Sequence, residues 1–344
     1  MEYILNKLPV KTTNNFKVND LKIDLDLPVI SDFKDFSISN NKDIIIEKRI
    51  VSEEISSRIG LTFDKYLELN IVVPKNKKME DTIILEYDFS NDDNLVDKIN
   101  INYEDNSSCN FIIIYKSIDN NKHFHYLVEN TKSNNNSLGS ITYINLLNDK
   151  SSNFISIEND SLDNSVITHN IIDISSGVKV NNMYSNVYNN ASNYLNNIYL
   201  GFKEDIIDMN YYLNNIGKNS KNIMRVEGVL DDNARKTFRG TIDFIEGSSD
   251  SIGDENENCV LLSDKAVSRS LPQMLCHEEN VVGAHGVSSG KIDTDKLFYL
   301  MAHGYSEKEA EKLIVMANLS KIINNINDEN IRNMVLNIIE EKIS

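Results

Sequence analysis

The sequence predicts a mainly β protein in which a β-solenoid core is followed by a small α-helical domain. Residues 81–264 consist of short runs rich in Ile, Val, Tyr and Phe, separated by Asn, Asp, Ser or Gly, which is the pattern of short strands and turns. No helical period interrupts these runs, so alternating βαβ units and a doubly wound sheet are not expected. From Lys291 onward the apolar residues recur at helical spacing instead.

Residues 1–75 are predicted to be a helical or irregular segment. Its helical candidate is the stretch VSEEISSRIGLTFDKYLEL, which begins at Val51. Ser52 can cap a helix there, and apolar residues follow at mixed helical spacing. We therefore expect a helix in this segment before the strand-rich region begins.

Residues 76–290 are predicted to form the solenoid core. Short strands over so long a region fit a sandwich, a barrel or a solenoid. Asn-Gly and Asp-Gly pairs, which favour tight hairpins, do not occur in the strand-rich region. Asn and Ser recur in twos and threes, as at the corners of stacked coils, which favours the solenoid. The end strands of such a stack need a cap or a partner chain.

Residues 291–344 are predicted to form three short amphipathic helices. Asp293 can cap the first helix, which ends at Gly304. Ser306 and Glu309 form a capping box for the second helix, and the third is capped near Asp328. One face of the second helix is expected to be buried, and it contains Ala310, Leu313, Ile314, Ala317 and Ile322. Short helices must bury their apolar faces on something, so this domain is a candidate docking element.

Composition excludes several classes of function. With 35 basic and 52 acidic side chains the formal net charge is −17, so nucleic-acid binding is disfavoured. Three cysteines are too few for a disulfide framework, which suits a reducing compartment. Because no signal peptide and no apolar stretch of about 20 residues is found, we expect a cytoplasmic protein that does not span a membrane.

The stretch LCHEENVVGAHG, residues 275–286, gathers potential metal ligands in a short space. Its HEEN resembles the start of a zinc-protease helix, but Val281 stands where the second histidine should be. Cys276 and His277 are adjacent, so their side chains point to opposite faces of a strand. We expect a buried thiol beside a surface imidazole, followed by a solvated turn at the two glutamates. His285 lies between small residues that keep its ring accessible, and it is either structural or functional.

A second candidate is RVEGVLDDNARKTFRGTIDF, residues 225–244. Arg235 and Lys236 are expected in a turn between strands, and Arg239 alternates with apolar Phe238. We interpret the stretch either as a strand pair with a charged outer face or as a strand edge that pairs with a second chain. The usual nucleotide, hydrolase and Cys-x-x-Cys motifs are absent from the sequence.

Two stretches, GVLDDNARKTFRGTIDF and SLPQMLCHEENVVGAHGVSSGKIDTDKLFYLMAHGYSEKEAEKLIV, closely resemble the SufB/SufD family of iron–sulfur cluster assembly proteins. The resemblance covers roughly residues 226–316. Its specific positions are Arg235, Phe238, Gly240, His285, Lys291, Ile292, Asp293 and residues 297–304. The resemblance implies a right-handed parallel β-helix between helical segments.

The resemblance also implies partners and a non-catalytic scaffold role. A SufB-type subunit, or a second copy of the chain, would pair through the β-helix at an edge that includes Arg235, Phe238, Arg239 and Gly240. A SufC-type ABC ATPase, which hydrolyses the ATP, would dock on the C-terminal helices around Lys291, Asp293, Phe298, Tyr299, Gly304 and Tyr305. A cysteine desulfurase would supply sulfur indirectly. No tightly bound cofactor is expected, only a transient iron–sulfur cluster or iron at the subunit interface.

Two departures from the SufB pattern imply a subunit of the SufD type. Counted back from His285 without gaps, the SufB acceptor cysteine falls on Glu257 and the SufB glutamate falls on Gly286. Cys259 lies two residues beyond Glu257, on the same strand face. It is either a thiolate donor towards the interface or a small buried hydrophobe. His285 is the candidate metal or cluster ligand, with Glu257 and Cys259 as further interface candidates.

Two other functions stay open on the sequence. A β-solenoid enzyme acting on polysaccharide would need paired acids on one solenoid face beside an open groove. A purely structural homo-oligomer would pair through its strand edges and ignore an ABC ATPase.

Overall fold

Two nine-stranded sheets form a β-solenoid in the computed structural model, which describes residues 1–13, 16–33, 35–39 and 42–343. The even sheet contains, in spatial order, β22 (Val281–Gly290), β20 (Ser251–Leu261), β18 (Lys221–Leu230), β16 (Ser192–Gly201), β14 (Val166–Asp173), β12 (Leu138–Leu146), β10 (Ser108–Ser117), β8 (Ile83–Phe89) and β3 (Phe36–Ile38). The odd sheet contains β21 (Val267–Cys276), β19 (Arg235–Phe244), β17 (Ile206–Asn215), β15 (Val178–Val187), β13 (Ser152–Ser161), β11 (Phe124–Ser133), β9 (Asn94–Tyr103), β7 (Tyr66–Val73) and β4 (Ile45–Val51). The predicted fold class, a mainly β solenoid with C-terminal helices, is confirmed.

Each coil of the solenoid contributes one strand to each sheet, and successive coils pair in parallel. The offset between paired residues varies along the stack, from 26 residues between Val166 and Ser192 to 32 residues between Arg235 and Val267. This variation explains why the sequence shows a solenoid texture without a fixed period.

Asparagines form the corners of the coils. Asn76, Asn106, Asn136, Asn164, Asn190 and Asn219 all have positive φ angles between 53° and 61°, a conformation that Asn tolerates better than most residues. Their side chains also form ladders, since the amide of Asn106 donates to Asn76 Oδ1 and that of Asn136 donates to Asn106 Oδ1, both at 3.1 Å. The Asn-rich turns therefore stack the coils without tight hairpins.

Three helices follow the last strand, and two of them cover the outer face of the even sheet. They are α1 (Thr294–Ala302), α2 (Glu307–Ile323) and α3 (Glu329–Lys342). The caps at Asp293 and Asp328 and the Ser306–Glu309 capping box are all formed. The buried cluster between sheet and helices includes Ile144, Ile172, Ile198, Val315, Leu319, Val335 and Ile339. In the described part of the chain, no helix has the length and apolar character needed to span a membrane.

The face that α2 buries differs from the predicted one. Its buried residues are Ala310, Val315, Leu319, Ile322 and Ile323, whereas Leu313 is 42% exposed. Apolar residues occur on several sides of this helix, so the spacing alone did not select the side that meets the sheet.

The predicted helix from Val51 does not form. The chain runs instead through short strands, the end of β4, β5 (Ile55–Ser56), β6 (Thr62–Phe63) and the start of β7. Gly60 adopts φ +95°, which interrupts a helix. Ile55, Ile59, Leu61 and Phe63 pack in one buried cluster with Tyr126 and Phe154 of the odd sheet, so tertiary contacts override the local helical spacing. Together with β1 (Glu2–Leu5) and β2 (Leu21–Asp24), these strands border the outer face of that sheet.

Candidate functional site

Both sheets end at free strand edges at the same end of the solenoid, which we call the open end. Strand β21 pairs only with β19, and β22 pairs only with β20, within the residues that the structure describes. Each of these end strands has ten residues, so one row of backbone N–H and C=O groups on each strand has no partner strand. His285 lies in the middle of β22 and is exposed.

A buried polar chamber lies inside the solenoid one coil behind the open end. It is formed by the side chains of Tyr199, Lys236, Glu257 and Ser270, which come from four different strands. Glu257 is fully buried and accepts hydrogen bonds from Tyr199 Oη at 2.9 Å and Ser270 Oγ at 2.7 Å. Lys236 Nζ forms a buried ion pair with Glu257 and donates to Ser270 Oγ at 2.8 Å. The chamber therefore holds a carboxylate that its neighbours fully satisfy.

Cys259 borders this chamber as a buried thiol. It lies on the same face of β20 as Glu257 and is 4% exposed. Burial raises the pKa of its thiol, and the nearby Lys236 ammonium only partly opposes that effect. Of the two interpretations from the sequence, the small buried hydrophobe fits the isolated chain. A reactive cysteine is a thiolate, and burial disfavours the thiolate form of Cys259.

Glu255 is a second buried carboxylate on the same strand face, and it has no donor. Both of its carboxylate oxygens are buried without a hydrogen-bond partner. Burial and the neighbouring Glu257 charge raise the pKa of Glu255 to about 8. Its side chain occupies the space above Gly240, where an added Cβ would overlap Glu255 Oε1. On the last coil, His285 is in register with Glu255, so the side chains of Glu255 and His285 face the same side of the sheet.

The sequence interpretation missed most of the chamber. Lys236 was expected in a turn, but it lies inside the solenoid on β19, and Tyr199, Glu255 and Ser270 were not singled out. One local signal was present, because Glu255, Glu257 and Cys259 alternate along one strand, which places all three on one face.

The predicted subunit-pairing edge on β19 is wrong in its placement. This strand lies between β17 and β21 and is not an edge. Phe238 is fully buried in the interior, and Arg239 is fully buried on the outer side. Arg239 forms an ion pair with Asp208 and donates to Val18 O at 3.2 Å. Arg235 is exposed at the start of the strand. The free edges belong to the following coil, β21 and β22.

The HEEN stretch lies in the bend between β21 and β22. The expected burial of Cys276 is wrong, since its thiol is exposed at the open end, where no further coil covers it. His277 is a surface residue as expected, with a side chain that is 62% exposed. Hydrogen bonds from the backbone N–H groups of Gly247 and Asn280 hold the pKa of Glu278 below its usual value.

His285 belongs to no group of three or more potential metal ligands within the residues that the structure describes. Among the described residues, no three His, Cys, Asp or Glu side chains are grouped to hold a metal ion. The metal or cluster role of His285 stays a prediction, and it requires donors from outside the part of the chain that the structure describes.

An exposed apolar patch lies on α1 and the start of α2. Helix α1 has no buried residue. We call the exposed large side chains here the α1 patch, and it consists of Phe298 (73% exposed), Tyr299, Met301, Tyr305 and Leu313. Around it, Lys291 pairs with Asp264 at 2.6 Å, Asp293 caps α1, and Gly304 has φ +98°. The residues predicted for ATPase docking thus lie together, and their binding role stays a prediction.

Comparison with known proteins adds independent information. The family model described as "SUF system FeS cluster assembly, SufBD core domain" matches residues 88–318. The iron–sulfur cluster assembly protein SufD of Bacillus subtilis is 30% identical over 127 residues, which cover 37% of this chain and 29% of that protein. SufD of Escherichia coli is 24% identical over 156 residues, which cover 45% of this chain and 36% of that protein.

The SufB protein of Bacillus subtilis is a weaker match than SufD of the same organism. It is 24% identical over 101 residues, which cover 29% of this chain and 22% of that protein. The matches to the two SufD proteins span about a third of the length of those relatives. The family model covers more than half of the chain, and the SufD proteins give the stronger pairwise matches. The chain therefore belongs to the SufB/SufD family and is of the SufD type.

Proposed function

We propose that this chain is a non-catalytic scaffold subunit that supports iron–sulfur cluster assembly, in a complex with a SufB-type subunit and a SufC-type ABC ATPase. The observation that carries the proposal is the open end, where both sheets stop at free ten-residue strands beside the candidate ligand His285. A chain with this architecture needs a partner to complete its last coil.

Strand addition is the proposed mode of subunit pairing. Strands β21 and β22 offer backbone donors and acceptors to an incoming strand on both sheets. Some inward-facing side chains of the last coil are polar, since Ser268 Oγ and Ser289 Oγ lie 2.8 Å apart and His285 stands on the same strand as Ser289. A paired subunit would thus enclose a polar space that begins at the chamber.

The chamber supports a division of labour between the two subunits. Glu257 stands where SufB-type chains carry the sulfur-accepting cysteine, and its carboxylate is neutralised by Lys236. The Cys259 thiol is buried and protonated at neutral pH because burial raises its pKa. The chain therefore supplies an imidazole and a rigid frame, and sulfur acceptance is assigned to the partner.

The α1 patch is the proposed ATPase docking surface. Exposed Phe298 and Tyr299 on a helix without buried residues are the kind of aromatic anchors that dominate binding energy in interfaces. Replacing both with Ala is expected to weaken ATPase capture about tenfold or more. Ile118→Ala is the matched control, because Ile118 is an exposed apolar residue of the solenoid, 58% accessible.

Co-purification with SufB-type and SufC-type proteins, with iron and sulfide measured, tests the proposal. We expect a complex that builds a cluster, and His285→Ala is expected to lower the cluster yield without dissolving the complex. Unchanged cluster yield would remove His285 from the proposal. A stable homodimer that ignores the ATPase would support the structural homo-oligomer instead. For a polysaccharide enzyme, the acids Glu255 and Glu257 are poorly placed, because they are buried inside the solenoid and not in a groove.

A further inference from the structure

A short N-terminal strap, defined as residues 5–10 and 18–20, lies across the outer face of the odd sheet. Its anchor is Asn6, which is fully buried. Asn6 Nδ2 donates to Asp208 Oδ1 at 2.7 Å, and Asn182 Nδ2 donates to Asn6 Oδ1 at 2.8 Å. Leu5 and Leu8 are also buried, at 1% and 2% exposure. The strap is therefore a specific contact and not a loosely apposed tail.

Side chains of the sheet bind the backbone of the strap on successive strands. Asn210 Nδ2, on β17, donates to Lys7 O at 3.1 Å. Arg239, on β19, donates to Val18 O at 3.2 Å, and Gln273, on β21, donates to Val10 O at 3.4 Å. With Asn182 on β15, the strap is tied to the last four strands of the odd sheet, including the edge strand.

Two of these strands, β19 and β21, contribute Lys236 and Ser270 to the polar chamber on their inner face. Side chains alternate across a strand, so Arg239 faces the strap while its neighbours Phe238 and Gly240 face the interior, where Gly240 makes room for Glu255. On β21, Gln273 faces the strap and Ser270 binds Glu257. A shift of the strap is thus transmitted directly to the strands that close the chamber.

We propose that the N-terminal strap is a latch that holds β19 and β21 over the chamber and controls access to Glu257 and Cys259. With the strap seated, the last coil covers the chamber. With the strap released, β21 can move and the chamber opens towards the open end. This latch extends the proposed function, because an assembly interface has to regulate access to its interior. Its test uses the chain alone and does not require cluster assembly.

The three cysteines provide a built-in measurement of chamber access. Labelling with N-ethylmaleimide, followed by mass spectrometry of each cysteine, compares Cys259 in the chamber with Cys109, which is buried on the distant β10, and with the exposed Cys276. Asn6→Asp puts a second carboxylate beside Asp208 and is expected to release the strap. Cys259 labelling should then rise about tenfold, since a lost buried hydrogen bond of this kind shifts a local equilibrium by that order. Cys109 labelling should stay unchanged.

Asn159→Ala is the matched control. Asn159, on β13, is a buried amide whose Nδ2 donates to Ser185 Oγ of β15 at 2.8 Å, and it makes no hydrogen bond to the strap in the described structure. It should leave Cys259 labelling unchanged. Gln273→Ala, a milder change at the edge strand, should raise Cys259 labelling by a smaller factor and keeps the test available if Asn6→Asp does not fold. The latch would be overturned if Cys259 labelling is unchanged in an Asn6→Asp chain that is folded and whose strap amides exchange hydrogen rapidly. Equal rises at Cys259 and Cys109 would overturn it too, because they indicate general destabilisation.

Discussion

The interior of the solenoid differs between its enclosed coils, β9 to β14, and its end coils, β19 to β22. In the enclosed coils each buried acid has side-chain partners, which are a tyrosine and a histidine for Asp97 and Glu129, and Asn145 and Ser175 for Asp173. Asp97 accepts from Tyr115 Oη at 2.9 Å and contacts His125 Nε2 at 3.0 Å. Glu129 has the same arrangement with Tyr143 and His169. In the end coils, both oxygens of Glu255 lack a partner.

This difference indicates which part of the molecule is complete in the isolated chain. A buried polar group without a partner costs free energy, so a fully enclosed coil satisfies its acids from neighbouring coils on both sides. Glu255 has a complete coil on one side only. On the other side lies the last coil, whose residue in register with Glu255 is the exposed His285. The unpartnered carboxyl group of Glu255 in the end coils supports the proposed completion of the solenoid by another chain.

The largest expected effect comes from breaking an enclosed coil. Asp97→Ala leaves His125 and Tyr115 buried without their shared acceptor, and it opens a cavity. We expect a loss of about 3–5 kcal/mol in the free energy of unfolding, measured by denaturant titration. Asp105→Ala, which removes a surface carboxylate paired with Lys75 at 3.1 Å, is the control and should cost less than about 1 kcal/mol. Equal losses for the two variants would show that the enclosed network adds nothing.

The next effect concerns the pH dependence of the end coils. The pKa of Glu255 is about 8 in the folded chain against an ordinary value of 4.5. Between pH 4.5 and pH 8 the folded state retains the carboxyl proton of Glu255, whereas the unfolded chain releases it. The contribution of this protonated carboxyl group to the free energy of unfolding is therefore complete below pH 4.5. It is lost as the pH rises towards 8. Glu255→Gln keeps a neutral side chain, so it should flatten this slope and raise the free energy of unfolding by about 2–4 kcal/mol at pH 8. Identical slopes in the two proteins, measured between pH 5 and pH 8, would contradict this account of Glu255.

A smaller effect is expected at the glycine beneath Glu255. In Gly240→Ala the new Cβ overlaps the Glu255 carboxylate, and the strain should cost about 1–3 kcal/mol. The double variant with Glu255→Ala should recover part of that loss, because the Glu255 carboxylate is gone while Phe238 Cζ still lies 2.8 Å from the new Cβ. Additive losses in thermal unfolding experiments would place the strain elsewhere.

The sequence predicted those features that depend on neighbouring residues. The caps at Asp293 and Ser306 are local, and so is the change from strand-like to helical spacing at Lys291. The chamber could not be assembled in this way, because Tyr199, Lys236, Glu257 and Ser270 come from four strands. Coil offsets vary from 26 to 32 residues, so counting along the sequence does not give the register that brings them together.

The placement of Arg239 failed for a related reason. A basic residue in an alternating strand suggests a solvent-facing surface. The N-terminal residues that bury it, with Val18 O as a hydrogen-bond acceptor, lie 221 positions earlier in the chain. Such a contact leaves no trace in the local pattern.

Hydrogen exchange of β21 and β22, with and without a SufB-type partner, tests the central claim most directly. If the end coils are completed by that partner, the amides of Val267–Cys276 and Val281–Gly290 should exchange at least about tenfold more slowly in the complex. The amides of β9 to β14 should be unchanged. A complex that forms while β21 and β22 exchange at their free rates would contradict the claim, because the partner would then bind another surface.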